Sequence, residues 1–172
     1  MIMKTQPTAG TDLRTDAGIL MPLGLACIVA AGRPVLLDRS SDAGSSSVRQ
    51  ILVIDDDPHV RELVAKTVTR AGFRADTESD GESGWHALCR VAYDLVITDN
   101  EMPRLTGLKL IERIRGFSNE PPCILISGKQ LGDESTRMPL VGIDGFLAKP
   151  FSPAALIEKV YDLLLHGQSM EP

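Results

Sequence analysis

The sequence predicts an α/β fold, a doubly wound five-stranded parallel sheet with helices on both faces. From Val48 onward, short apolar runs alternate with segments of helical periodicity. The strongest runs are continuously apolar, which is typical of parallel strands buried on both faces. Because crossovers between parallel strands are right-handed, the intervening helices cover both sides of such a sheet.

Each element has its own local signal. The first strand is the run Ile51-Leu52-Val53-Ile54, and Asp57-Pro58 marks the start of the helix that follows it. Residues 74–77 form a short polar strand, which we expect near an edge of the sheet. The same reasoning gives strands at 94–99, 123–127 and 144–148 and helices at 58–72, 81–91, 107–116 and 153–165.

Composition excludes several classes of function. The chain has 172 residues, a net charge of −5 and only 4% aromatic residues. An acidic, aromatic-poor chain is a poor candidate for binding phosphate backbones or for stacking on single-stranded bases, so we expect no nucleic-acid partner. Cys27, Cys89 and Cys123 lack metal-ligand spacing and indicate reduced thiols in a cytoplasmic protein.

Residues 1–47 differ from the rest of the chain in periodicity and composition. They lack periodicity and end in a Ser-rich stretch at 40–47, so we expect a disordered extension and linker before a folded domain at 48–168, with a tail at 169–172. The apolar stretch 19–31 is shorter than the roughly 20 residues of a membrane span. Asp12 and Asp16 precede it where a signal peptide carries positive charge. No membrane association is expected.

Polar residues follow the predicted strands at one edge of the sheet. Asp55 and Asp56 end the first buried strand, Asp99 the next, Ser127 the third and Lys149 the last. The carboxyl ends of parallel strands form the usual ligand site of open α/β sheets. Three neighbouring carboxylates repel one another, and Mg²⁺ with its oxygen ligands would relieve that repulsion. Asp99 is then a candidate carboxylate nucleophile for a phosphoryl group.

Each of these residues has an ordinary explanation when taken alone. Consecutive aspartates often cap a helix, Asp99 precedes Met102-Pro103 as a turn residue does, and Ser127-Gly128 reads as a turn. Their placement at successive strand ends favours phosphoryl chemistry instead.

Four stretches resemble the receiver domain of bacterial two-component response regulators, over about residues 48–165. They are residues 51–57, 94–103, 124–128 and 146–151, with matching order and spacing. The resemblance implies a flavodoxin-like strand order 2-1-3-4-5 and a cis peptide bond between Lys149 and Pro150. It further implies a phosphoprotein in phosphorelay signal transduction that takes a phosphoryl group onto Asp99 with Mg²⁺.

The resemblance also implies the metal ligands. Asp56, Asp99 and the backbone carbonyl of Glu101 would bind Mg²⁺ directly, with Asp55 helping through water.

Further roles follow for residues at the last two strands. Ser127 and Lys149 would contact phosphoryl oxygens, and Phe146 would turn inward as a switch when Ser127 moves. Glu101 and Lys129 lie at positions that tune hydrolysis, and an ion pair between them would screen attacking water.

The expected partners are a sensor histidine kinase or a histidine phosphotransfer protein, and an output protein reached by docking or onward phosphotransfer. Because only residues 166–172 follow the last predicted helix, we expect a stand-alone switch, which is not an enzyme beyond its own phosphorylation and dephosphorylation. Pro139 predicts a short or irregular helix at 133–141, which would mute or reroute signalling. The alternatives are a phosphorylation-independent binding module with a vestigial site, an aspartyl-nucleophile phosphatase and, least favoured, a flavodoxin-like electron carrier.

Overall fold

The computed structural model describes residues 28–30, 33–35, 48–116, 120–128 and 142–166. The strands are β1 (Ile28–Ala30), β2 (Arg33–Val35), β3 (Gln50–Ile54), β4 (Arg74–Glu78), β5 (Leu95–Asp99), β6 (Cys123–Ser127) and β7 (Gly145–Ala148). The helices are α1 (Pro58–Arg70), α2 (Gly81–Leu88), α3 (Gly107–Ile114) and α4 (Pro153–His166).

Strands β3 to β7 form one parallel sheet in the order β4-β3-β5-β6-β7. Numbered within the sheet, this is the order 2-1-3-4-5, which confirms the expected fold class. The polar strand β4 lies at an edge, as its sequence predicted. The chain reverses its direction of winding between β3 and β5, and this switch point is where such sheets bind ligands.

Two apolar cores cover the two faces of the sheet. The first is centred on Leu52, Val96 and Leu125 and packs against α2 and α3. The second is centred on Val53, Ile97 and Ile124 and packs against α1 and α4. The continuous apolar runs therefore reflect burial on both faces, since alternate residues of one strand contribute to different cores.

All four described helices begin at polar caps close to the ends of strands, and for α4 the cap is Ser152, whose Oγ accepts from the backbone N–H of Ala155 at 3.1 Å. The side chain of Asp57 accepts a hydrogen bond from the backbone N–H of His59 at 2.8 Å, before α1. Asp80 caps α2 and Thr106 caps α3. Each cap accepts bonds from N–H groups that lack a partner within the helix, and so fixes where the preceding loop ends.

The structure differs from the sequence expectation in a few places. Helix α2 ends at Leu88 rather than at 91, and the last strand begins at Gly145. Within the extension at 1–47, where no regular structure was expected, β1 and β2 pair as an antiparallel ladder. The irregular helix predicted at 133–141 lies outside the described residues, and in the described chain no helix has the length and apolarity to cross a membrane.

Candidate functional site

Four of the predicted site residues lie at the carboxyl ends of neighbouring strands. Asp55 directly follows β3, Asp99 and Ser127 are the last residues of β5 and β6, and Lys149 directly follows β7. Asp55, Asp99 and Ser127 are only 2%, 3% and 0% exposed. Polar groups are rarely buried so deeply without partners, and a buried carboxylate is expected to have a cationic partner.

Lys149 supplies a positive charge to both buried carboxylates. Its Nζ atom lies 2.7 Å from Oδ1 of Asp99 and 3.1 Å from Oδ2 of Asp55. The lysine side chain therefore passes the end of β6 to reach β5 and β3. One ammonium faces two carboxylates, so this inner set carries a net negative charge when all three groups are ionised.

The pKa values of two of these groups follow from this arrangement. Burial raises the pKa of Asp55 above its usual value, and the charge of Asp99 adds to the rise, although bonds from Asp57 and Lys149 oppose it. For Lys149, burial works against the charged form, but the bonds to Asp99 and Asp55 outweigh it and raise its pKa. Lys149 therefore stays protonated at neutral pH, while burial makes the ionised form of Asp55 less favourable than it is in water.

The turn after β3 separates the three consecutive aspartates. Asp56 is exposed, whereas Asp55 points into the sheet edge and Asp57 caps α1. The backbone N–H of Asp57 donates to Oδ1 of Asp55 at 2.9 Å. The guanidinium of Arg61 donates to the backbone carbonyl of Asp55 at 2.6 Å. The turn is thus held from both sides, with the carboxylate of Asp55 buried and that of Asp56 exposed.

The loop after β5 folds closely around Asp99. The backbone N–H of Glu101 donates to Oδ2 of Asp99 at 2.6 Å. Gly107, the first residue of α3, lies so close that an added Cβ would be 2.3 Å from the carbonyl oxygen of Asp99. A glycine is required there because the helix backbone approaches the strand end without room for a side chain.

The remaining predicted residues fall in different surroundings. Phe146 is half-buried on β7 and packs against the core beside α2 and α3. Ser127 is fully buried between Asp99 and Lys149 in strand order. The side chain of Glu101 is exposed, and Lys129 lies outside the described residues. The Lys149-Pro150 peptide bond is cis, as the resemblance implied.

The expected donor set has the composition that magnesium uses in proteins. Among the residues that the structure describes, no group of three or more His, Cys, Asp or Glu side chains is arranged to hold a metal. Mg²⁺ usually keeps several waters and takes one or two carboxylates. The expected ligands, two carboxylates and the carbonyl of Glu101, fit that pattern, and the net negative charge beside Lys149 favours a cation.

One contact near the site was missed by the sequence reasoning. Arg104 in the loop after β5 forms an ion pair with the buried carboxylate of Asp80. The helix start at Gly81 was a usable signal for Asp80 as a cap, because aspartate is strongly preferred there. Nothing in the sequence pattern indicates its partner, since 24 residues separate the two.

Known proteins resemble this chain in sequence and in fold. Receivers with solved structures include chemotaxis response regulator CheY4 of Vibrio cholerae, with a TM-score of 0.65 and 26% identity over 69% of this chain and all of that one. The receiver domain of Francisella response regulator 1452 gives a TM-score of 0.66, with 26% identity over 70% of this chain and 99% of that one.

Curated relatives are longer than this chain. The transcriptional activator protein IrlR of Burkholderia pseudomallei is 34% identical over 122 residues, which are 71% of this chain and 53% of that protein. The sensor histidine kinase RcsC of Salmonella typhi is 32% identical over 119 residues, 69% of this chain and 12% of that protein. The chain thus spans about half the length of the transcriptional regulator and a small part of the kinase.

The family model for the response regulator receiver domain matches residues 51–161. This range includes all five strands of the parallel sheet except Gln50, the first residue of β3. The match covers more than half of the chain. This chain therefore belongs to the response-regulator receiver-domain family of two-component systems.

Proposed function

We propose that Asp99 of this chain accepts a phosphoryl group in a magnesium-dependent reaction, and that the phosphorylated state carries a two-component signal. Receiver domains are phosphoacceptor switches, and phosphorylation and Mg²⁺ binding are general properties of the family. The observation that best supports the assignment to Asp99 is the contact of Lys149 Nζ with Asp99 Oδ1 at 2.7 Å, at a 3% exposed carboxylate.

The proposed reaction is a displacement at phosphorus. A carboxylate oxygen of Asp99 forms the new O–P bond, while the P–N bond of a phosphohistidine breaks. The other ring nitrogen of that histidine already carries a proton, so the leaving group is neutral imidazole. The product is an acyl phosphate on Asp99, which water later cleaves to the free carboxylate and inorganic phosphate. Alignment and charge stabilisation supply most of the rate in such transfers.

The residues of the site divide this work between them. Asp56, Asp99 and the carbonyl of Glu101 are the proposed Mg²⁺ ligands, with Asp55 acting through water. When bound, the ion neutralises charge on the phosphoryl oxygens. Lys149 already lies beside Asp99 and would pair with one phosphoryl oxygen. Its raised pKa keeps the ammonium protonated, and so able to form this pair, at neutral pH.

Two further roles concern the lifetime and the read-out of the phosphorylated state. Ser127 would donate to a phosphoryl oxygen from the strand between Asp99 and Lys149. Its movement would let Phe146, half-buried on β7, turn further inward. Glu101 and Lys129 would tune the access of water to the acyl phosphate.

The proposed partners follow from the family. Receiver domains interact with histidine kinases, and one relative is itself named as a sensor histidine kinase. We propose that such a kinase or a histidine phosphotransfer protein phosphorylates this chain in the cytoplasm. The output would be docking to another protein or onward phosphotransfer, and the chain acts on its own phosphoryl group alone.

We also propose that the receiver occupies residues 48–168, with an extension before it and a tail at 169–172. The family match at 51–161 supports these bounds. Limited proteolysis should cut before residue 48, within the Ser-rich stretch at 40–47, and leave a resistant fragment; resistance of the full chain would contradict this division.

Intact-mass measurement tests the proposed function. The full chain is incubated with acetyl phosphate and Mg²⁺, beside Asp99→Asn and a sample with a metal chelator. One added phosphoryl group that requires both Mg²⁺ and Asp99 is the expected result. If the chain neither gains mass nor binds beryllofluoride with Mg²⁺, the site is vestigial and the proposal fails.

A further inference from the structure

We infer that Arg104 is a positioning residue for the phosphoacceptor site, because its ion pair with Asp80 holds the 100–106 loop against α2. This inference rests on the proposed function of Asp99. The loop begins directly after Asp99 and ends at the first turn of α3, so its path determines which backbone groups surround that carboxylate.

The backbone of Arg104 is held in an unfavourable conformation. Its φ angle is 67°, and among the described residues it is the one non-glycine residue with a positive value. A residue with a Cβ atom rarely adopts this left-handed region unless the surrounding structure imposes it. The contacts of Arg104 and its neighbours should therefore explain what keeps the loop in place.

The first of these contacts is the ion pair between Arg104 and Asp80, and the Asp80 carboxylate is fixed by helix α2. Oδ2 of Asp80 pairs with the guanidinium of Arg104, while Oδ1 of Asp80 accepts from the backbone N–H groups of Glu82 and Ser83, both at 3.0 Å. Asp80 is 6% exposed, and these bonds to Ser83 and Glu82 together with Arg104 lower its pKa despite some desolvation. The carboxylate is thus ionised, fixed by the helix and aimed at the loop.

A second contact lies beside the first. Gly81 approaches the loop so closely that an added Cβ would be 2.4 Å from the carbonyl oxygen of Leu105. The loop backbone at Leu105 therefore rests on the first turn of α2. Because Arg104 and Leu105 are consecutive, the ion pair and the backbone contact hold one short section of the loop.

Residues 104 and 105 are linked to Asp99 through the hydrogen bonds at the start and at the end of the same loop. At its start, the N–H of Glu101 donates to Asp99 Oδ2 at 2.6 Å. At its base, Asn100 accepts from Gly107 N at 3.3 Å through its carbonyl and from Leu108 N at 3.3 Å through its side chain. A shift of Arg104 would move the backbone of Glu101, which also carries the proposed carbonyl ligand of Mg²⁺.

The exposure of the Arg104 side chain separates its positioning role from a general effect on stability. The side chain of Arg104 is 66% exposed, and ion pairs in contact with water contribute little to the free energy of unfolding. The effect of losing Arg104 should therefore be larger on ligand binding at Asp99 than on thermal stability.

Beryllofluoride titrations in the presence of Mg²⁺, followed by calorimetry, test the inference on the full chain. Arg104→Asn removes the ion pair but keeps a residue that tolerates the left-handed backbone, so its folding is not at risk. Asp80→Asn keeps an oxygen acceptor for the helix cap and removes the charge. Arg90→Asn, an exposed arginine beyond the other end of α2, is the matched control.

We expect Arg104→Asn and Asp80→Asn each to weaken beryllofluoride binding by about tenfold, with little change in thermal midpoint. The double variant should bind as weakly as either single variant, because both remove the same interaction. Arg90→Asn should bind like the unmodified chain.

Wild-type affinity in Arg104→Asn, or multiplied losses in the double variant, would overturn the inference. A drop in thermal midpoint with unchanged affinity would also overturn it, since that indicates a merely structural role. Failure of the proposed function is distinguishable, because the unmodified chain itself would then bind no beryllofluoride.

Discussion

Lys149 Nζ lies 2.7 Å from Asp99 Oδ1 and 3.1 Å from Asp55 Oδ2, although two strands separate β7 from β3 in the sheet. One long side chain therefore compensates two buried carboxylates that belong to different strands. Its removal should affect both the fold and the phosphoryl chemistry, which can be measured separately.

Replacing Lys149 with Met should destabilise the metal-free protein by about 1–3 kcal/mol, because two buried carboxylates lose a charged partner. Phosphorylation by acetyl phosphate should slow by about 100-fold or more, the usual effect of losing a group that stabilises developing charge. Urea unfolding and intact-mass kinetics measure the two effects. Mg²⁺ should recover part of the stability, because the ion replaces the missing positive charge.

The matched control is Lys109→Met, which changes an exposed lysine on α3. It should leave stability and phosphorylation rate unchanged. Equal phosphorylation rates in Lys149→Met and the unmodified protein would contradict the role given to Lys149.

Asp55→Asn should stabilise the metal-free protein at neutral pH. Burial raises the folded-state pKa of Asp55 above the usual 3.8, so the folded protein binds a proton more tightly than the unfolded chain does. The contribution of Asp55 to stability therefore falls as pH rises from 3.8 through the raised pKa. Asparagine resembles the protonated carboxyl and avoids this loss.

Urea unfolding at mildly acidic and at neutral pH, without metal, measures this difference. The stability gap between Asp55→Asn and the unmodified protein should widen toward neutral pH and shrink when Mg²⁺ is added. A variant that is less stable than the unmodified protein at neutral pH would show that the bond to Lys149 outweighs the cost of burial.

Gly107→Ala should cost about 1–3 kcal/mol of stability, the usual effect of overpacking. The new Cβ would be 2.3 Å from the carbonyl oxygen of Asp99 and 2.9 Å from Cδ1 of Leu125, so α3 must shift. Phosphorylation should slow as well, since the strand end moves with the helix. Gly116→Ala is the control, because its Cβ would meet nothing closer than 3.4 Å. Equal stability of the two variants in urea would refute the predicted clash.

The sequence predicted most of the fold because each strand and helix depends on a local pattern. The continuous apolar runs at Ile51-Leu52-Val53-Ile54 and 123–126 matched buried strands, and Asp57-Pro58 matched the start of α1. Parallel topology then determined that Asp55, Asp99, Ser127 and Lys149 lie at one edge. These inferences need no knowledge of side-chain packing.

The rest depends on contacts between residues that are distant in the chain. The three consecutive aspartates look alike in the sequence, but in the structure Asp55 is buried and Asp56 is exposed. The partner of Asp80 could not be predicted, because Arg104 lies 24 residues away along the chain. Single contacts of this kind produce no periodicity.

Cys123 should resist alkylation by iodoacetamide in the folded protein. Burial raises the pKa of its thiol to about 12, and Asp144 and Glu120 add to the rise although Arg115 opposes it. Because the thiolate is the reactive form, its fraction at neutral pH is negligible and the side chain, at 0% exposure, is also inaccessible. Peptide mapping after brief labelling should find Cys89, which is half-buried, modified faster than Cys123. Denatured protein should label at both positions, and equal labelling of the two in the folded protein would mean that β6 opens far more readily than its burial implies.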